Sequence, residues 1–173
     1  IKIFTNNHVY TLVDEYEKYI SELVIARNNH IKSKYKDDLQ VPAVVKILPR
    51  YVFNKSNPII FGVKIQKGVL YKNAILRTVV IDKDKNESFL EIGEVLEIRD
   101  NSKTIDFAKV GLDVSIKIKS NKNILYGRQF DSKNKLFTKM TKMSIKLLKK
   151  FENDYIIDKE LLEELLVKNK VHI

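Results

Sequence analysis

The sequence predicts a mainly β protein with additional α-helices: a closed antiparallel β-barrel, preceded by a long helix and followed by two packed C-terminal helices. Three observations predict it. Apolar residues recur every three or four positions over residues 6–36, as on one face of a helix. Short segments rich in β-branched and aromatic residues follow up to residue 130, separated by turn residues. After Asp131 the helical period returns.

The first element is a helix from Asn6 to about Lys36, without Pro or Gly. Thr5 or Asn6 can supply the side-chain oxygen of its N-cap. About thirty residues at 1.5 Å each give a helix of roughly 45 Å, which is longer than packing on a small barrel requires. We therefore expect a strut that projects from the domain; a helix folded against its own domain is the alternative.

The barrel strands are expected after Pro42, each near a turn or a glycine. The candidate segments are 43–53, Ile59–Gln66, Ala74–Ile81, Phe89–Arg99, Lys103–Phe107 and Asp113–Lys119, with Ile124–Phe130 as the closing strand. In Val114–Lys119 apolar and basic residues alternate, which is typical of a strand with one buried and one solvated face.

The C-terminal helices are amphipathic. The first has an apolar side and a lysine side; the apolar side consists of Met140, Met143, Leu147, Leu148 and Phe151. Asp158 is the expected N-cap of the second helix. Two such short helices are unstable alone, so they are expected to pack on each other and on the barrel. The chain then divides into residues 1–40, the barrel 41–130, and the helix pair 131–173.

Composition excludes several classes of site. The chain has 173 residues and no cysteine, so disulfides, thiolate metal sites and thiol nucleophiles are excluded. Its three histidines, His8, His30 and His172, are too far apart to form a ligand pair. No apolar run approaches the ~18 residues of a membrane span. We expect a soluble cytoplasmic monomer without a metal, cofactor or membrane partner.

The net charge of +10 is unevenly distributed. Arg128–Lys150 contains eight basic residues and one acid, whereas residues 151–173 contain three basic residues and six acids. Such a basic segment can pair internally or face an anionic partner. Because the chain has 27 lysines and 5 arginines, part of this charge reflects a lysine bias. Arginines are better site candidates, since their planar guanidinium binds acceptors in a bidentate way.

Catalytic motifs are missing from the sequence. Neither GxxxxGK[ST] nor GxGxxG occurs among the five glycines, and no serine lies in GxSxG. We therefore predict that this chain is not an enzyme.

The order of several motifs from Val41 onward resembles the carboxy-terminal part of eukaryotic initiation factor five-B, the homologue of bacterial initiation factor two. The motifs are Lys46–Asn54, Ser56–Val63, Gly68–Leu70, Ile92–Ile98, Ala108–Val114, Gly127–Phe130 and Ser144–Lys149. The resemblance implies a translation-factor type of barrel, and it identifies residues 1–36 as the end of the preceding domain and the long linker helix. It also implies that a GTP-binding domain lies upstream of this fragment.

The family's fourth domain holds the acceptor end of methionyl initiator tRNA while the ribosomal subunits join. The resemblance therefore implies a tRNA-binding site, for which we select Arg128 beside Gly127, and the loop that carries Lys83, Lys85 and Glu87. Glu87 can accept a hydrogen bond from the amino group of methionine. The alternatives are a structural pairing of Arg128 with Asp131 or the second helix, and a solvated role for Glu87.

The family's terminal helices receive the acidic, hydrophobic tail of initiation factor one-A. The matching surface here consists of Lys142, Lys146, Lys149, Lys150, Leu147 and Phe151. Lysines supply charge for steering and apolar residues an anchor. The alternative is that Leu147 and Phe151 belong to the core. A general RNA-binding barrel and a purely protein-docking module are the other possible functions.

Overall fold

A computed structural model describes residues 2–5, 7–81 and 87–168. The chain forms two compact units, residues 1–36 and residues 37–173.

The first unit is built on the helix α1, Val9–Lys34. Its 26 residues give a length of about 39 Å at 1.5 Å per residue. Phe4 packs on the ring of Tyr16 at 5.8 Å and on that of Tyr19 at 5.3 Å. The N-cap is His8, whose side chain makes no capping hydrogen bond. The expected cap at Thr5 is therefore wrong, and Asn6 lies outside the described residues.

The second unit is a six-stranded barrel, which confirms the predicted fold class. Its strands are β1 (Ala43–Asn54), β2 (Ile59–Tyr71), β3 (Ile75–Ile81), β4 (Glu87–Asp100), β7 (Asp113–Lys119) and β8 (Lys135–Thr138). They follow the order β1-β8-β3-β4-β7-β2, and β2 pairs with β1 to close the barrel. All these pairings are antiparallel. Two short strands pair with barrel strands outside this ring: β5 (Lys103–Ile105) pairs with β4, and β6 (Phe107–Lys109) pairs with β2.

Buried and exposed residues alternate along the barrel strands, so that every second side chain fills the interior. Val114, Ile116 and Ile118 of β7 are at most 3% exposed, whereas the residues between them face outward. The interior is one cluster of aliphatic residues with Phe61 and Phe130, so the barrel is a packed core rather than a channel.

The expected closing strand, Ile124–Phe130, is wrong. This segment is a turn with a single bridge between Tyr126 and Phe130. Ile124 and Phe130 are buried because this turn covers the end of the barrel, where the ring of Phe130 lies 6.2 Å from that of Phe61, whereas Leu125 is exposed. The closing strand is β8, which lies beyond residue 130 and has only four residues.

Two helices follow, α2 (Lys142–Lys150) and α3 (Lys159–Lys168), joined through a 3₁₀ turn, Glu152–Asp154. A capping box between Thr141 and Ser144 begins α2. Asp158 Oδ1 accepts a hydrogen bond from the amide of Leu161 at 3.0 Å, which confirms the predicted N-cap.

The helices enclose a second core against the outside of β1 and β8. Its buried members are Val41, Phe137, Met140, Ile145, Leu148, Leu161, Leu165 and Leu166. Met143, expected on the apolar side of α2, is 38% exposed. Within the described residues no helix has the length and apolar character needed to cross a membrane.

Candidate nucleic-acid interface

The strand β1 contains a wide bulge on the outside of the barrel. Ile47 pairs with Val63 and Val52 pairs with Phe61, so residues 48–51 lie opposite the single residue Gly62. Pro49 lies in this bulge, where its missing N–H costs no ladder hydrogen bond. A bulge of this kind redirects side chains away from the regular pleat.

Gly62 is required by the close approach of the bulge. A Cβ atom built on Gly62 would lie 2.8 Å from Cβ of Tyr51, which is shorter than any normal contact. The bulge therefore packs directly on the backbone of β2, and this contact positions Cβ of Tyr51.

The bulge and the strand after it expose two aromatic rings. Tyr51 is 55% exposed and Phe53 is 65% exposed. They lie beside a groove of about 320 Å³, which we call the barrel groove. Its lining residues are Leu48, Tyr51, Phe53, Gly62, Arg99, Asn101, Asp113, Val114 and Ser115. A second depression shares Phe53, Arg99, Asn101 and Ser115 with the first, and it extends toward Lys117.

The charged groups of the groove have defined partners. Arg99 Nε donates to Glu97 Oε1 at 2.6 Å, and the hydroxyl of Thr104 donates to the same oxygen at 3.1 Å. These hydrogen bonds, above all that of Arg99, lower the pKa of Glu97. The carboxylate of Asp113 lies 4.0 Å from Nζ of Lys64, at the limit of an ion pair.

This combination is suited to single-stranded nucleic acid. Exposed Tyr and Phe rings offer surfaces for base stacking, and each stacked base contributes about 1–3 kcal/mol. A guanidinium oriented by Glu97 can bind a phosphate or a planar acceptor. Asp113 can accept a hydrogen bond from an amino group.

Arg128, the first residue selected from the sequence, lies on an exposed turn outside this groove. Within the described part of the chain its side chain has neither a hydrogen bond nor an ion pair, so the alternative pairing with Asp131 is not observed. Asp131 instead accepts a hydrogen bond from the backbone amide of Lys133 at 2.7 Å.

The Arg128 turn is held by its neighbours. Gln129 Oε1 accepts from the amide of Leu125 at 2.8 Å, and its Nε2 donates to the carbonyl of Asn123 at 3.2 Å. Gly127 has φ of +87°, with open space where a Cβ would stand. A glycine is therefore favoured at position 127 by the positive φ of the backbone. The sequence analysis had instead expected Gly127 to permit the close approach of a ligand.

Glu87 is the first residue of β4, exposed and paired in register with Ile81. Lys83 and Lys85 lie outside the described residues.

On the helix pair the predicted docking residues separate into two groups. Lys142, Lys146, Lys149 and Lys150 are exposed along α2. Leu147 and Phe151 are only 6% and 3% exposed, which is the core arrangement given as the alternative. A different apolar cleft lies between the helices, lined by Leu148, Ile157 and Leu162, with Lys149, Lys159, Glu152 and Glu163 around it.

The sequence analysis missed Tyr51, Phe53 and Asp113 as site residues. The available signal was the poor alternation of residues 43–53 together with a proline inside a strand, which indicates a bulge. Within the described ranges no group of His, Asp and Glu side chains is arranged to hold a metal ion.

Comparison with known proteins identifies the family of this barrel. Residues 41–137 match the model of the family described as elongation factor Tu domain 4. Over 96% of its length the chain is 33% identical to a probable translation initiation factor IF-2 of Sulfurisphaera tokodaii, and 36% identical to that of Metallosphaera sedula. It spans about a quarter (26%) of each of these relatives.

A solved structure agrees. The crystal structure of GDP-bound aIF5B from Aeropyrum pernix superposes with a TM-score of 0.58 at 25% identity, covering 99% of this chain and 27% of that protein. The match thus involves a domain 4 module and not the whole factor. The chain belongs to the elongation factor Tu domain 4 family, in the form found in the C-terminal region of translation initiation factors of the IF-2 and IF5B type.

Proposed function

We propose that this chain is a non-catalytic module of a translation initiation factor, and that its barrel groove binds the aminoacylated 3′ end of methionyl initiator tRNA on the ribosome. The observation that carries the proposal is the pair of exposed rings in the groove, Tyr51 over Gly62 and Phe53 near it, together with Arg99 and Asp113. The membership of the family supports the setting in translation initiation.

Each part of the groove has a role in this proposal. The terminal bases stack on Tyr51 and Phe53, because an unpaired 3′ end leaves its base faces free. Arg99, oriented by Glu97, binds a phosphate or the ester carbonyl. Asp113 accepts a hydrogen bond from the α-amino group, which only the charged tRNA carries.

The test is the affinity of variants for charged and uncharged tRNA. Phe53→Ala should weaken binding of both forms about tenfold, in line with the loss of one stacked base. Tyr10→Ala is the matched control, since Tyr10 is an aromatic residue of α1 with 87% exposure. Asp113→Asn should reduce the preference for methionyl tRNA over uncharged tRNA while the groove keeps its shape.

Arg128→Ala separates the groove from the Arg128 turn. If the acceptor end lies in the groove, this variant should change affinity less than Phe53→Ala does. A larger loss with Arg128→Ala, specific for methionyl tRNA, would place the aminoacyl end at the turn and contradict the groove.

A second function has its own observation, the cleft between α2 and α3. We propose that Leu148, Ile157 and Leu162 receive an apolar side chain from the acidic tail of initiation factor one-A, while Lys149 and Lys146 attract its charge. Titration with an acidic, Ile-ended peptide should shift amide resonances of residues 139–168. Shifts confined to the barrel strands would contradict this docking site.

A further inference from the structure

Three lysines form a row on the outside of the barrel. Lys46 of β1 pairs in register with Lys135 of β8 on one side and with Lys64 of β2 on the other. All three are exposed, while their chain neighbours Val45, Ile47, Val63, Ile65 and Leu136 are at most 1% exposed. The three side chains therefore leave the same face of the sheet. We call Lys135, Lys46 and Lys64 the lysine row.

The row is little neutralised by the protein. Among the ion pairs of the described residues, only that of Lys64 with Asp113, at 4.0 Å, involves a member of the row. Lys67 provides a contrast, since it lies near the row on β2 and its Nζ is 2.6 Å from Glu164 of α3. Like charges directly opposite each other destabilise a sheet. Apart from the ion pair of Lys64 with Asp113, the described residues give the row no compensating charge, which points to an anion from outside.

The row is next to the barrel groove. Lys64 and Gly62 are two residues apart on the outer face of β2, and Asp113 and Ser115 are two residues apart on β7. Two residues along a strand correspond to about 7 Å. Lys64 also pairs in register with Asp113, so the row ends at a residue that lines the groove.

We infer that the lysine row binds backbone phosphates of the RNA strand whose 3′ end lies in the barrel groove. This inference rests on the proposed function and specifies the path of the strand. Neighbouring strands of a sheet are separated by about 5 Å, so the row extends over about 10 Å and can neutralise successive phosphates. Lysine suits this role, because it acts as a point charge and carries no base specificity.

The salt dependence of tRNA binding tests the inference. The double variant Lys46→Gln/Lys135→Gln should weaken binding of methionyl and uncharged tRNA by the same factor. It should also reduce the slope of log affinity against log salt by about 1.4, since each contact to a single strand contributes about 0.7. The matched control, Lys72→Gln/Lys109→Gln, removes two exposed lysines, one from the turn after β2 and one from β6, and should leave the slope unchanged.

Further outcomes separate the two proposals. Lys46→Arg/Lys135→Arg keeps the charge and should keep the wild-type slope. If the glutamine variant has the same slope as its control, the lysine row does not bind phosphate, even where wild type prefers methionyl tRNA. If wild type shows no such preference but the slope still falls, the groove proposal fails and the row stands. If Lys46→Gln/Lys135→Gln lost affinity for the acidic peptide but kept its affinity for tRNA, the row would belong to a protein-binding surface, and the inference would be overturned.

Discussion

The outside of the barrel bears apolar side chains on two sides, and only one of them is covered. On the first side Phe137 is 1% exposed, because α2 and α3 enclose it in the second core. On the other side Tyr51 and Phe53 stay more than half exposed beside the groove. Covering a surface stabilises the fold, whereas neighbouring rings left exposed beside a groove are typical of a binding surface.

The covered side should show the largest effect on stability. Phe137→Ala removes a buried ring and leaves a cavity between β8 and the helices, so the free energy of unfolding should fall by about 3–5 kcal/mol. Phe53→Ala deletes an equal ring from the open side and should change it by less than about 0.5 kcal/mol. Chemical denaturation of both variants measures the difference. Equal losses would mean that Phe53 is part of the packed structure and not a binding surface.

The support of the open side is the next test. Gly62→Ala places a methyl group 2.8 Å from Cβ of Tyr51, so the bulge must move outward. Overpacking of this kind should destabilise the protein by about 1–3 kcal/mol, and it should also weaken tRNA binding because Tyr51 is displaced. The check is to measure unfolding and tRNA affinity on the same sample. Unchanged values for both would show that the bulge adjusts freely and does not position the ring.

The sequence predicted local features of single elements better than it predicted the groove. The alternation in Val114–Lys119 and the cap at Asp158 are local signals, and both agree with the structure. The groove combines residues from β1, β2, β4 and β7, which are brought together only by the register of the barrel. No spacing along the chain relates Tyr51 to Arg99 or Asp113.

The error at the closing strand has a similar cause. Ile124 and Phe130 are buried, as the apolar pattern indicates, but burial at the end of a barrel does not require a strand. The positive φ of Gly127 turns the chain back instead. The short strand β8 was missed because four residues, Lys135–Thr138, contain too little alternation to be recognised.

The smallest effect concerns the lysine row between the two sides. Lys46 has a lysine opposite it on both neighbouring strands, so Lys46→Gln relieves repulsion and should raise the free energy of unfolding by about 0.2–0.5 kcal/mol at low salt. The gain should vanish near 1 M salt, where the Debye length falls to about 3 Å. It should also shrink in a Lys135→Gln background, because one source of repulsion is already gone. A variant that is more stable yet binds tRNA less tightly would show that the row is retained for its ligand, whereas a loss of stability on replacing Lys46 would give this lysine a structural role instead.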